Sequence, residues 1–271
     1  MEILGFILAA LVGISLGLIG GGGSILTVPI LVYVMGVNPV LATSYSLFIV
    51  GSTALVGAFN NYRKGLVSIK TALLFGVSSI ATVFITRKIF MPAIPAVLFS
   101  KGNIHITQSM ATMILFAVLM LMASIAMIKK KTTDNGLVVS SQSNTTQLPK
   151  LLLYGVAVGL ATGFLGAGGG FLIIPALVLL IKMPMKQAIG TSLLIIALNS
   201  LIGFTGDIGH FEIDWKFLLT ITLIAVTGIF IGGFLARKID GEKLKNAFGW
   251  FVLIMGIYII IKEIFFTTVR H

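Results

Sequence analysis

The chain contains no cysteine. A disulfide framework, a thiolate metal site and a cysteine nucleophile are therefore excluded. Charge is nearly as scarce: 10% of the residues are Asp, Glu, Lys or Arg, against about 25% in a soluble domain. There are only eight acidic residues, and none lies clearly in the middle of an apolar stretch, which weighs against a proton relay of buried carboxylates. The three histidines form no pair at metal-ligand spacing, and no serine, histidine and aspartate fall where they could share a site. The sequence reads as a non-enzyme, with no catalytic residues, no metal and no cofactor expected. The start, Met1-Glu2-Ile3-Leu4, lacks the positive region of a cleavable signal peptide, so the first apolar stretch reads as a membrane segment.

What is present is apolar. Hydrophobic residues make up 57% of the 271 positions, and the mean hydropathy is +1.10. Too little polar surface remains to face water, so the lipid bilayer is the expected solvent. The formal net charge is +11. Its Lys and Arg residues stand in short clusters between apolar stretches, as in loops on the cytoplasmic leaflet. No nucleic-acid partner is expected.

Apolar stretches cover roughly residues 3–19, 25–35, 43–59, 69–85 and 106–128, then 151–165, 171–181, 189–204, 215–235 and 247–261. Crossing the hydrocarbon takes about 20 helical residues. The first two stretches of each set are short and joined by glycines, and the other three are about long enough to span. Between the sets lie Lys129-Lys130-Lys131 and a tract rich in Ser, Thr, Asn and Gln, which reads as a flexible cytoplasmic linker. The expected organisation is a first membrane repeat at 1–128, a linker at 129–150 and a second repeat at 151–271.

The two sets are related. The segment from Gly17 to Pro29 aligns with that from Gly163 to Pro175 at an offset of 146, with six of 13 positions identical, four of them glycines and one a proline. The same offset pairs Ala42 with Ala188, Ser46 with Ser192, Leu47 with Leu193 and Lys70 with Lys216. If each short pair crosses the membrane zero or two times, the second repeat is inverted. Thirteen of the 19 Lys and Arg residues then share one side. A parallel arrangement would split them 10 to 9, so the positive-inside rule favours inversion with both termini outside the cytoplasm. The expected location is a bacterial inner membrane.

Two motifs could hold a ligand. Gly20-Gly21-Gly22-Gly23 is contiguous, as are Gly168-Gly169-Gly170 after Gly166. Glycines spaced by four residues suit helix packing, whereas a contiguous run breaks a helix. Broken backbone at membrane depth lines a cavity or is buried in protein. Helices restarting at Ser24 and Gly170 would then offer free N–H groups to an anion. Paired broken helices at matching places in two halves also point to a transporter's binding site. The second motif is hydroxyl-rich: Thr43-Ser44-Tyr45-Ser46 and Gly190-Thr191-Ser192 follow Asn38-Pro39 and Met183-Pro184, which begin helices. Their competing role is back-bonding to helix carbonyls or joining helices. The candidate substrate-binding residues are Gly20, Gly21, Gly22, Gly23, Ser24, Ser44, Ser46, Gly166, Gly168, Gly169, Gly170, Thr191 and Ser192.

The remaining polar groups read as structural. Asn60, Asn61 and Asn199 join helices. Arg63-Lys64, Arg87-Lys88 and Arg237-Lys238 anchor span ends. Asp207, His210, Glu212 and Asp214 sit in one outer loop, with Asp214 and Ser68 as N-caps.

With its paired glycine breaks, each leading to Pro29 or Pro175, and with Ser44-Tyr45-Ser46-Leu47 and Gly190-Thr191-Ser192-Leu193 after them, the whole chain resembles the TauE/SafE family of sulfite and organosulfonate exporters. The first half departs from the family pattern, with Ser44-Tyr45 in place of Gly-Thr. The resemblance implies export of a small sulfur-containing anion. The expectation is an all-α polytopic membrane protein of two inverted repeats, each a glycine-broken short-helix pair plus three transmembrane helices. It holds a small anionic substrate between the breaks, and alternating access arises as one repeat rocks against the other. A passive anion channel and a non-transporting accessory subunit are the alternatives, and a homo-oligomer is left open.

Overall fold

A computed structural model describes residues 2–95, 97–101, 104–129, 148–166, 168–181, 183–210, 212–236, 239 and 241–263. Most of the linker, at 130–147, and the Arg237-Lys238 pair lie outside them. The described residues are mostly helical. Its first half comprises α1 (Glu2–Ile19), a 3-10 segment (Gly20–Leu26), α2 (Thr27–Tyr33), α3 (Pro39–Arg63) and α4 (Ile69–Ile85). Helix α4 runs on through a π turn (Thr86–Phe90) into α5 (Met91–Ala93), and α6 (Gln108–Lys129) closes the half. The second half is α7 (Leu148–Leu165), α8 (Gly170–Leu180), α9 (Met185–Asp207), α10 (Trp215–Leu235) and α11 (Gly241–Lys262). Among the described residues, four helices are long and apolar enough to cross a membrane: Pro39–Arg63, Ile69–Ala93, Met185–Asp207 and Trp215–Leu235. One addition to the helical reading is an antiparallel hairpin of β1 (Val97–Lys101) and β2 (Ile104–Thr107).

Local signals set the helix ends. Asn38 Oδ1 accepts from the Val40 N–H and Pro39 opens α3. Ser68 Oγ accepts from the Thr71 N–H at the start of α4, and Asp214 Oδ1 from the Phe217 N–H at the start of α10. These side-chain acceptors satisfy donors that a helix start leaves open.

Polarity is arranged inside out. Leu153 is 70% exposed and Leu223 67%, while Thr43, Ser44, Ser46, Thr191, Ser192, Asn199 and Ser200 are all at 0%. Exposed apolar faces of this extent suit lipid rather than water.

The two halves interlock. Helix α1 packs along α10, and α7 along α4, so the first helix of each half lies on a helix of the other. The close approach repeats at the residue level. A Cβ added to Gly13 would collide with the Ala225 carbonyl, and one added to Gly159 would lie 2.6 Å from the Ser79 carbonyl oxygen. Both partners of the first contact map onto those of the second at the offset of 146. Glycine there lets two helices touch backbone to backbone. Helices α3 and α9 occupy equivalent places in the two halves and pack against each other antiparallel. Thr43 lies near the Asp207 end of α9, Gly51 meets Ser200 and Leu201, Gly57 meets Leu193, and Asn61 meets Gly190. Helices α6 and α11, the last of each half, also pack together. At one edge, Tyr33 donates to Glu263 Oε1 at 2.9 Å and Lys262 Nζ lies 3.9 Å over the Tyr33 ring, tying the end of α2 to that of α11.

Candidate functional site

Both glycine runs interrupt helices. After Ile19 the backbone turns left-handed at Gly20, φ +70°, and Gly166, Gly168 and Gly169 are left-handed after Leu165, each at φ +66°. A side chain in that region costs about 1–2 kcal/mol, and glycine avoids the cost. The two restarts differ. Helix α8 begins at Gly170, and its cap residue Gly169 has no side chain to occupy the exposed N–H groups. Ser24 does not begin a helix as the sequence suggested. It lies inside the 3-10 segment, its Oγ donating to the Gly21 carbonyl at 2.7 Å, and the seven-residue α2 starts only at Thr27. Four glycines tolerate the tighter 3-10 winding, so the chain keeps turning there instead of opening. The stronger helix-end dipole therefore belongs to the second half.

The interruptions meet. Gly21 and Gly170 are so close that a Cβ on either would overlap the other's Cα. A Cβ on Gly20 would lie 3.0 Å from Ile189 Cγ2 and 3.2 Å from Ser192 Oγ, and one on Gly166 would lie 2.5 Å from Thr43 Cα. Gly20 and Gly166 are equivalent by the offset, as are Thr43 and Ile189. Each break thus rests on the first turns of the long helix of the other half. Gly23 packs on Ser15 and Leu16, and Gly168 on Ile196, Ser200 and Val50. Gly22 lies within the 3-10 segment.

The hydroxyls divide into two kinds. Thr191 Oγ1 accepts from the Ser68 N–H at 3.0 Å and so holds the start of α4. Ser192 Oγ donates to the Ile189 carbonyl at 2.9 Å. By contrast Thr27 Oγ1, Ser44 Oγ, Ser46 Oγ, Thr162 Oγ1 and Ser200 Oγ are buried without a hydrogen-bond partner. An unmatched buried polar group costs about 1–3 kcal/mol, so these five hydroxyls stand apart from the partnered ones. Asn199 Nδ2 donates to Ser79 Oγ at 2.6 Å, across the halves, in the joining role expected of it.

The largest departure from the sequence reading is Arg87. Expected to anchor a span end at the surface, it is fully buried, and its Nη1 donates to Asp207 Oδ2 at 3.1 Å and to Thr43 Oγ1 at 3.0 Å. Asp207, expected in an outer loop, is the last residue of α9 and only 2% exposed. Ser44 is beside Asp207 but makes no well-formed hydrogen bond to it. Helical periodicity supplies the physical reason. Arg87 follows Ser79 and Val83, both at 0% exposure, at four-residue steps along the buried stripe of α4, and the i+5 bond from the Met91 N–H to the Thr86 carbonyl widens the turn only beyond that point. Arg87 is turned inward while Lys88 stays exposed, its Nζ 5.3 Å from the Phe84 ring centroid. Only Lys88 of the two fits the anchor role. One sequence signal existed. Arg87 and Asp207 map by the offset onto Gly233 and Asn61, so this pair is where the repeat is broken by charge.

A cavity of about 410 Å³ lies elsewhere, between Phe6, Val34 and Met35 and the start of α10 at Asp214, Lys216, Phe217 and Thr220. None of the candidate residues lines it.

Comparison with known proteins follows the same outline. The family described as sulfite exporter TauE/SafE matches residues 5–259. A probable membrane transporter protein of Xylella fastidiosa (strain 9a5c) is 32% identical over 253 residues, 92% of this chain and 91% of that protein. The probable membrane transporter proteins YunE and YdhB of Bacillus subtilis (strain 168) are 26% and 24% identical, covering 96% and 88% of this chain and 99% and 91% of their own lengths. No solved structure matches. With a family match over nearly its whole length, the chain is a membrane transporter of the TauE/SafE family.

Proposed function

We propose that the protein exports a small sulfur-containing anion, sulfite or an organosulfonate, by alternating access. The observation that carries this reading is the meeting of the two breaks at Gly21 and Gly170, with the unpartnered hydroxyls of Ser44, Ser46, Thr27, Thr162 and Ser200 on the elements around them. Amide and hydroxyl donors replace part of an anion's hydration shell as it enters a low-dielectric site. The α8 N-terminus adds positive potential. Gly20, Gly166, Gly168 and Gly169 shape the backbone; Ser44 and Ser46 supply contacts. Thr191 and Ser192, engaged within the protein, position the helices and touch substrate only if those bonds exchange.

The repeats are inverted in this reading, supported by the antiparallel packing of the equivalent helices α3 and α9. Both termini are non-cytoplasmic, and the linker and the Lys64 loop face the cytoplasm of a bacterial inner membrane, as the positive-inside rule requires. Purified protein in liposomes is expected to exchange labelled sulfite or methanesulfonate, and Ser44→Ala with Ser46→Ala to slow that exchange without lowering the melting temperature. Accumulation against a gradient under a proton or sodium potential separates a transporter from a channel, which cannot concentrate its ion. Absence of exchange for every small anion tested would refute the proposal.

A further inference from the structure

Arg87 has more donors than the protein uses. Its Nη1 is spent on Asp207 and Thr43, while Nε and Nη2 are buried without a hydrogen-bond partner. These two groups lie on one edge of the planar guanidinium. Such an edge presents two parallel N–H donors, the fork that grips two oxygens of a single oxyanion. The side chain is at 0% exposure, so solvent does not take up the open edge.

The surroundings place this guanidinium beside the proposed substrate path. Thr43, which accepts from Nη1, is the residue on which Gly166 rests, so the guanidinium is one side chain away from the second glycine break. Ser44, with its unpartnered Oγ, lies beside Asp207. The equivalent corner of the other half holds Gly233 and Asn61, and Gly233 has no side chain to make a second fork.

We infer that the Nε–Nη2 edge of Arg87 is the recognition element for substrate, a site that rests on the transport reading above. It takes anions carrying two or more oxygens on one sulfur or carbon atom, such as sulfite, sulfonates and carboxylates, and it refuses halides, which bring one atom where the fork needs two. Asp207 holds Nη1, fixes the plane of the guanidinium and keeps the empty site near neutrality. That neutrality limits affinity enough for the anion to leave. Selectivity is thereby placed at one end of the α3–α9 pair and not shared by the two halves.

The test uses the full-length protein with sulfite, methanesulfonate and chloride as probes, in liposome flux and in ligand-induced thermal stabilisation. Wild-type protein is expected to move the two oxyanions faster than chloride, and methanesulfonate but not chloride is expected to raise its melting temperature. Arg87→Lys keeps the charge and loses the fork, and its oxyanion flux is expected to fall about tenfold or more, the loss of one strong charged contact. Asp207→Asn keeps the fork and is expected to bind methanesulfonate more tightly. Equal oxyanion flux in wild type and Arg87→Lys, or chloride moved as well as methanesulfonate, overturns the inference. If Arg87→Lys does not fold, wild-type selectivity in the two assays decides alone. If wild type moves no anion yet is stabilised by methanesulfonate and not chloride, the transport reading fails while the fork survives.

Discussion

Nη1 of Arg87 and Oδ2 of Asp207 meet at 3.1 Å in the protein interior, one from each half of the chain. Removing one partner strands the other's charge, which costs about 3–5 kcal/mol, whereas replacing both with apolar residues is often neutral or better. Asp207→Leu alone is expected to lower the melting temperature strongly, and Arg87→Met with Asp207→Leu to recover most of the loss. Thermal unfolding of the singles and the double in detergent checks this. A double variant as unstable as the sum of the singles would show that the two residues do not act as a pair.

The hydroxyls should sort by whether they already have a partner. Thr27→Val removes a buried, unmatched oxygen at nearly constant shape and is expected to stabilise the protein by about 1 kcal/mol while slowing transport. Thr191→Val strips the Ser68 N–H of its acceptor and is expected to cost about 1–3 kcal/mol. Opposite signs in the two melting shifts are the readout; the same sign for both would contradict the assignment.

Two glycines with the same backbone sign should differ in their tolerance of alanine. At Gly166 a methyl group would lie 2.5 Å from Thr43 Cα, and at Gly36, φ +71°, it would meet nothing within 4 Å. Gly36→Ala is expected to cost about 1–2 kcal/mol for the left-handed backbone alone. Gly166→Ala adds overpacking, typically about 1–3 kcal/mol. Melting temperatures and purified yields of the two variants compare them directly.

Because no cysteine is present, topology can be read by single-cysteine labelling on an otherwise unaltered chain. Lys64 and His210 are both exposed and flank the antiparallel pair at opposite ends. A membrane-impermeant maleimide is expected to label His210→Cys on intact spheroplasts and Lys64→Cys only after lysis. Labelling of both, or of Lys64→Cys alone, on intact spheroplasts would rule out the proposed orientation.

Much of this fold was readable from residue order because the signals were local. Asn38-Pro39, Ser68 and Asp214 start helices through contacts within a few residues, and the contiguous glycines broke helices where their lack of a side chain said they would. The hairpin also left a trace, since β-branched and aromatic residues flank Gly102-Asn103, a pairing common in tight hairpins. What was not legible depended on distant partners. Ser24 looked like a helix start because nothing nearby reveals that four glycines will hold a 3-10 winding. Arg87 looked like an interfacial anchor because its neighbour Lys88 is one. Its place four residues beyond Val83 on the buried stripe of α4 and its partner Asp207, 120 positions away, set its direction. Thr191 and Ser46 carry similar side chains, and which of them finds a partner is decided by the loop before α4.

The crossing of α1 onto α10 and of α7 onto α4 has a bearing on how such a machine can move. Each long seam joins a helix of one half to a helix of the other, and glycines bring the backbones together along it. Rigid swinging of residues 1–128 against 151–271 would have to tear both seams at once. In the alternating access proposed above, the bodies that travel as units would therefore be composites of the two halves, α1 with α10 and α7 with α4.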